Sequence, residues 1–198
     1  MGKFAKIISF LLHPLLMPSY GMLIFLRMDV FIPPDGKRRL FFVVFFFTFL
    51  LPVLNILFLY NRKVIKSIYL ETREERNLPF FSTTVVYFIT WFMLKDMLPS
   101  KAISMLLLSA TISVALTYIL NRKIKVSAHM TGIGGLTGAV LIFSWLFGIN
   151  STGILVVLFL TGGVLASIRM YLGAHDFKEV SLGYFSGLLS QVVLFGSF

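Results

Sequence analysis

Two of the chain's three histidines, His129 and His175, stand beside clusters of arginine and lysine at the ends of long apolar runs. These residue types suit phosphoryl chemistry. Arginine offers a planar fork that matches phosphate oxygens, with charge-assisted hydrogen bonds. Imidazole serves as nucleophile or general acid near neutral pH. A carboxylate beside the nucleophilic imidazole fixes its tautomer and stabilises the imidazolium. Glu179 follows His175 by four positions, so on a helix that begins by His175 the two share a face and can meet.

The candidates fall in three polar segments. The first, Asn61 to Asn77, carries Lys63, Lys66, Arg73 and Arg76. The second, Asn121 to His129, carries Arg122, Lys123, Lys125, Ser127 and His129. The third, with the end of the run before it, carries Arg169, His175, Asp176, Lys178 and Glu179. Arg169 comes before the apparent end of its apolar run. A charge at that depth is costly unless it is paired or lines a polar cavity, so it is a functional candidate by default.

The elements that must position these groups are apolar helices. The chain has 198 residues, 58% hydrophobic and 13% charged, far from soluble composition. Apolar stretches recur along the whole length, separated by short charged clusters, as in a polytopic helical membrane protein. A membrane barrel would alternate apolar and polar residues, and Phe41 to Phe49 does not. The expected fold is therefore all-α, a transmembrane bundle of about six or seven helices forming one integral membrane domain over residues 1–198. Hydropathy places the helices at about 4–28, 40–60, 79–98, 102–120, 130–149, 153–172 and 179–198. His13, Pro14 and Pro18 bend the first, or its first part lies flat at the interface. Turns are expected at Pro33-Pro34-Asp35-Gly36, Pro99-Ser100-Lys101 and Asn150-Ser151-Thr152. Gly134-x-x-x-Gly138 and Gly183-x-x-x-Gly187 permit close helix approach.

Each crossing switches sides. The polar segments at 61–77, 121–129 and 173–178 are separated by two helices each, so all three emerge on one face. The net charge of +10 sits at the ends of apolar runs. That points to anionic headgroups rather than nucleic acid. There is no cysteine, hence no disulfide and no thiolate metal site. Lys3 and Lys6 precede an apolar run like a signal peptide, but the prolines interrupt it, and the segment is read as retained.

Arg169-x5-His175-x3-Glu179 resembles the third signature of the type 2 phosphatidic acid phosphatase superfamily, Ser-Arg-x5-His-x3-Asp. Tyr171-Leu172-Gly173-Ala174-His175 and Val180-Ser181-Leu182-Gly183 around it also look like that family. Ser127-Ala128-His129 resembles the second signature, Pro-Ser-Gly-His. The stretch Glu71-Thr72-Arg73-Glu74-Glu75-Arg76-Asn77-Leu78-Pro79 lies where the first, Lys-x6-Arg-Pro, belongs. The similar segments are at about 66–79, 122–130 and 167–180. Val126, Ala128, Ile168 and Glu179 depart from the family's Pro, Gly, Ser and Asp. Lys66 and Arg73 keep the first motif's spacing, but Glu74 stands where Pro belongs. Arg76 with Pro79 is displaced by two residues instead, and Arg76 is the favoured match with Arg73 close behind.

The resemblance implies a lipid phosphate or pyrophosphate phosphatase that uses a phosphohistidine and no metal or other cofactor. His175 would attack phosphorus, oriented by Glu179, and His129 would protonate the leaving oxygen. Arg169, Arg76 or Arg73, and Lys125 would hold the phosphoryl oxygens, with a hydrogen bond from Ser127. The partners expected are a phospholipid or isoprenyl phosphate and the bilayer, in a bacterial inner (plasma) membrane. The side the site faces is open, because Lys37, Arg38, Arg39, Lys95 and Lys101 oppose the basic residues of the motif face.

Plainer readings stand beside these. Ser127 can cap a helix, and Asp176-x-x-Glu179 can be a capping pair. Arg73-Glu74-Glu75-Arg76 can be a self-paired interfacial helix. Lys63, Lys66, Arg122 and Lys123 suit headgroup anchors. His13 suits a backbone or interfacial partner. The rival functions are a non-catalytic or inactive relative that binds anionic lipid, a phosphotransferase, and a transporter subunit. Nearly clean helix centres speak against the transporter. No Asp-rich magnesium motif and no Walker loop appears.

Overall fold

The computed structural model describes residues 2–28, 34–70, 72–98 and 101–195, with no side-chain description at 102 and 195. The expected turn residues Pro33, Pro99 and Ser100, and Glu71 of the first motif region, lie outside the described residues, as do 196–198. Within them the chain is an all-helical bundle. Six of its helices are long and apolar enough to cross a membrane. The protein is a multi-pass membrane protein.

Helix α1 runs over Gly2–Met28 and is broken. Its first limb, Gly2–Leu11, ends where Pro14 cannot continue the ladder, and a tight turn at Pro14–Leu16 leads into the second limb, Met17–Met28. His13 accepts the Leu15 amide through Nδ1 at 3.3 Å, capping that turn. Helix α2 spans Pro34–Asn61 and carries a π turn at Phe46–Leu50. Pro52 follows that turn and cannot bond the carbonyl four residues back. That carbonyl belongs to Thr48, and the buried Tyr87 hydroxyl donates to it at 2.7 Å. A neighbouring helix thus satisfies a freed backbone group within the membrane.

Helix α3 is Arg73–Leu94, starting six residues before the expected Pro79. Thr72 and Glu75 form a reciprocal capping box that starts it within the polar stretch. Helices α4 (Lys101–Asn121), α5 (Ala128–Phe147), α6 (Thr152–Tyr171) and α7 (Phe177–Phe195) complete the bundle. Helix α5 is the central element, and its closest partner is α7. Both glycine pairs lie at that contact. A methyl on Gly134 would overlap the Tyr184 carbonyl, and one on Gly187 would overlap the Thr131 carbonyl. Met130, Ile133, Leu136 and Val140 of α5 join Phe25, Leu165 and Val180 in the main core.

Candidate functional site

The three polar segments meet at one end of the bundle. Arg73 Nη1 donates to the Lys123 carbonyl at 3.1 Å, and the Asn121 amide donates to Asn77 Oδ1 at 3.0 Å. The Ser127 amide donates to the Glu179 carbonyl at 3.3 Å. The parity of crossings gave this same grouping.

His175 sits in the turn between α6 and α7, two residues before α7 begins. Gly173 makes that turn possible with φ of 62°, a left-handed conformation that side chains rarely take. Asp176 starts α7 by accepting the Glu179 amide at 2.8 Å. The Glu179 carboxylate turns the other way, and its Oε2 lies 2.7 Å from His175 Nδ1. The Lys125 carbonyl is a second acceptor for Nδ1 at 3.2 Å. Two acceptors therefore face Nδ1, so that nitrogen carries the proton. Nε2 keeps its lone pair and accepts from Arg76 Nη1 at 3.3 Å. Burial first, then the Arg76, Arg169 and Lys125 cations, lower the His175 pKa to about 3. The imidazole is neutral at physiological pH.

Arg76 is buried in the first turn of α3. Its Nε donates to the Leu70 carbonyl at 2.7 Å and its Nη1 to the Val126 carbonyl at 3.4 Å. These bonds fix the guanidinium against the imidazole. Arg73 instead lies half exposed, paired with Glu74 and the Lys123 carbonyl. Of the two candidates for the first motif, only Arg76 reaches His175.

His129 and Arg169 form a second cluster through Ser9 of the first limb of α1. Arg169 Nη1 donates to Ser9 Oγ at 2.9 Å, and its Nε is buried with no partner. His129 Nε2 lies 3.1 Å from the Ser9 carbonyl and 3.3 Å from its hydroxyl. The carbonyl only accepts, so Nε2 carries the proton. The His13 ring meets His129 edge-on at 5.5 Å. Sequence reasoning did not single out Ser9, which reads as one hydroxyl in an apolar run. The break at His13-Pro14 was the available signal that this limb turns toward the site.

Both clusters line one cavity of about 930 Å³. Arg76, Lys125, His129, Arg169 and His175 are on its wall, with Lys6 and His13 from α1. Ser127 and Glu179 are not; Glu179 supports His175 from behind. Ser127 stands at the N-cap of α5 without a capping side-chain bond, and its buried Oγ has no partner. The wall is strongly cationic, suited to an anion with several oxygens. Among the described residues no three His, Asp or Glu side chains gather as a metal site. No family model matches the sequence, and no curated protein or solved structure matches it.

Proposed function

We propose that the protein is a membrane lipid phosphate or pyrophosphate phosphatase acting through a phosphohistidine, in a bacterial inner membrane. The observation that carries this reading is the chain Glu179–His175–Arg76: a carboxylate on Nδ1 at 2.7 Å and a buried guanidinium at 3.3 Å from the unprotonated Nε2. The same arrangement orients an imidazole nucleophile toward a group that Arg76 holds.

In the first step His175 Nε2 attacks phosphorus. The Nε2–P bond forms as the bond from phosphorus to the leaving oxygen breaks. Arg76 shifts its Nη1 from Nε2 to a phosphoryl oxygen, joined by Arg169 and Lys125. These fixed cations stabilise the charge on the transferring group. His129 takes up the acid proton of the bound phosphate ester and, as imidazolium, passes a proton to the leaving oxygen. Water then attacks phosphorus, returns a proton to His129, and frees phosphate and His175.

The test is phosphate release by detergent-solubilised protein from phosphatidic acid and from prenyl pyrophosphates, with chelator present. Release that His175→Ala abolishes, with an acid-labile phosphoprotein trapped in the wild type, supports the reading. No release from any of these substrates overturns it. A second reading, anion binding without turnover, is favoured by one observation: Arg76 occupies the lone pair of Nε2. Tight phosphate-ester binding with no phosphoprotein would select it.

A further inference from the structure

The cavity does not stop at the basic end. It continues between the helices to Gln191 of α7 and Ser113 of α4. Gln191 lies about 18 Å beyond Glu179 along α7, at 1.5 Å per residue. Ser113 lies about 12 Å from the site end of α4 by the same measure. The expectation of nearly clean helix centres thus fails on the inner wall, where Ser109, Ser113, Thr117, Thr131 and Gln191 gather.

This inner wall has a definite hydrogen-bonding character. Ser109, Thr117 and Thr131 spend their single hydroxyl protons on the carbonyls of Leu106, Ser113 and Ser127. Tyr87, also on the wall, spends its proton on Thr48. Ser113 and Ser190 share two protons among the Ser109 carbonyl, the Gly187 carbonyl and each other. None remains for a third acceptor. Gln191 must therefore turn its amide nitrogen toward these serines, which it does at 3.2 and 3.3 Å. Its carbonyl oxygen is left buried and unpartnered, on a residue only 2% exposed. The inner wall thus carries one unsatisfied acceptor, Gln191 Oε1, and no spare hydroxyl proton. An unpaired buried acceptor is costly, and a ligand that donates to it gains that difference.

We propose that the inner end of the cavity, centred on Gln191 Oε1, is a recognition site for a hydroxyl or amino donor on the body of a phosphate-bearing amphiphile. The ligand's phosphate meets Arg76 and Arg169, and its donor reaches Gln191 inside the bundle. This rests on the phosphatase reading for the phosphate end only. It selects against a purely hydrocarbon isoprenyl chain, which would leave the amide oxygen bare.

The experiment measures binding and needs no turnover. Alkyl phosphonates and their ω-hydroxy counterparts, in a length series reaching about 18 Å, are titrated into solubilised full-length protein by calorimetry. The hydroxy compound of matching length is expected to bind about tenfold tighter than its alkyl twin. Shorter members should show no preference. Gln191→Met should erase the preference while retaining phosphonate binding. Equal affinity of twins at every length in the wild type overturns the proposal, and so does failure of both series to bind. A preference in the wild type that survives Gln191→Met also overturns it. If Gln191→Met does not fold, Gln191→Leu and Gln191→Ala are measured in its place, and a preference that survives in either overturns the proposal. A hydroxyl preference without phosphate release from lipid phosphates sinks the phosphatase reading and leaves this one standing.

Discussion

The Glu179 carboxylate meets His175 Nδ1 at 2.7 Å although α7 begins only at Phe177. The pair spans the start of the helix: Asp176 caps it by accepting the Glu179 amide, while the Glu179 carboxylate serves His175 instead of reaching back to a free amide. Capping and orientation are thus divided between two acidic side chains.

Glu179→Gln should lower kcat by roughly 10²- to 10⁴-fold with a smaller change in KM, because the amide can present its N–H to Nδ1 and stabilise the wrong tautomer. Thermal stability should change little, since Asp176 still caps α7. Steady-state kinetics with a lipid phosphate, beside a melting curve, checks both statements.

Arg76 and Arg73 should separate cleanly. Arg76→Ala strands the buried Val126 carbonyl and removes the cation facing His175, costing about 1–3 kcal/mol of stability and most of the activity. Arg73→Ala removes an exposed, solvent-screened pair with Glu74 and should leave stability nearly unchanged and kcat/KM within about twofold. Equal losses for the two variants would contradict the placement of Arg76.

The His175 pKa, lowered to about 3 from 6.5, makes stability depend on pH. Between those values the unfolded chain binds a proton that the folded chain refuses. Stability from this group is therefore full above 6.5 and is lost progressively as pH falls toward 3. Thermal melts in detergent should show the wild type losing stability over that window, with a shallower slope for His175→Gln.

The contact between α5 and α7 should tolerate no methyl. Gly187→Ala drives a Cβ into the Thr131 carbonyl, and the helices must part, at a cost of about 1–3 kcal/mol or more. Gly163→Ala, whose Cβ would meet open space, serves as the matched control. Melting temperatures of the two variants decide the matter.

The sequence carried the helix count, the grouping of polar segments on one face and the pairing of His175 with Glu179, because hydropathy, crossing parity and i,i+4 spacing are all local or additive signals. It misplaced the start of α3. Hydropathy began it at Pro79, with Arg73 to Arg76 left as either polar stretch or separate interfacial helix, and the Thr72–Glu75 box that joins them to α3 was passed over. It favoured Arg76 over Arg73 only narrowly, since which guanidinium faces the cavity depends on how α3 rotates against α5 and α7. Ser9 and Gln191 were invisible for another reason. A lone serine or glutamine in an apolar run has no meaning until the facing helix is known, and both face partners far away in sequence. The π turn at Phe46–Leu50 likewise has no signal beyond Pro52.

The bond between Arg169 and Ser9 joins positions 160 residues apart. Contacts of such separation close late, after the intervening chain is in place. During biosynthesis the amino-terminal limb can meet His129 once α5 is in place, but Arg169 reaches it only when nearly the entire polypeptide has left the ribosome. A chain arrested before the sixth helix lacks Arg169 and also α7, the closest partner of α5, and never completes the cationic end of the chamber.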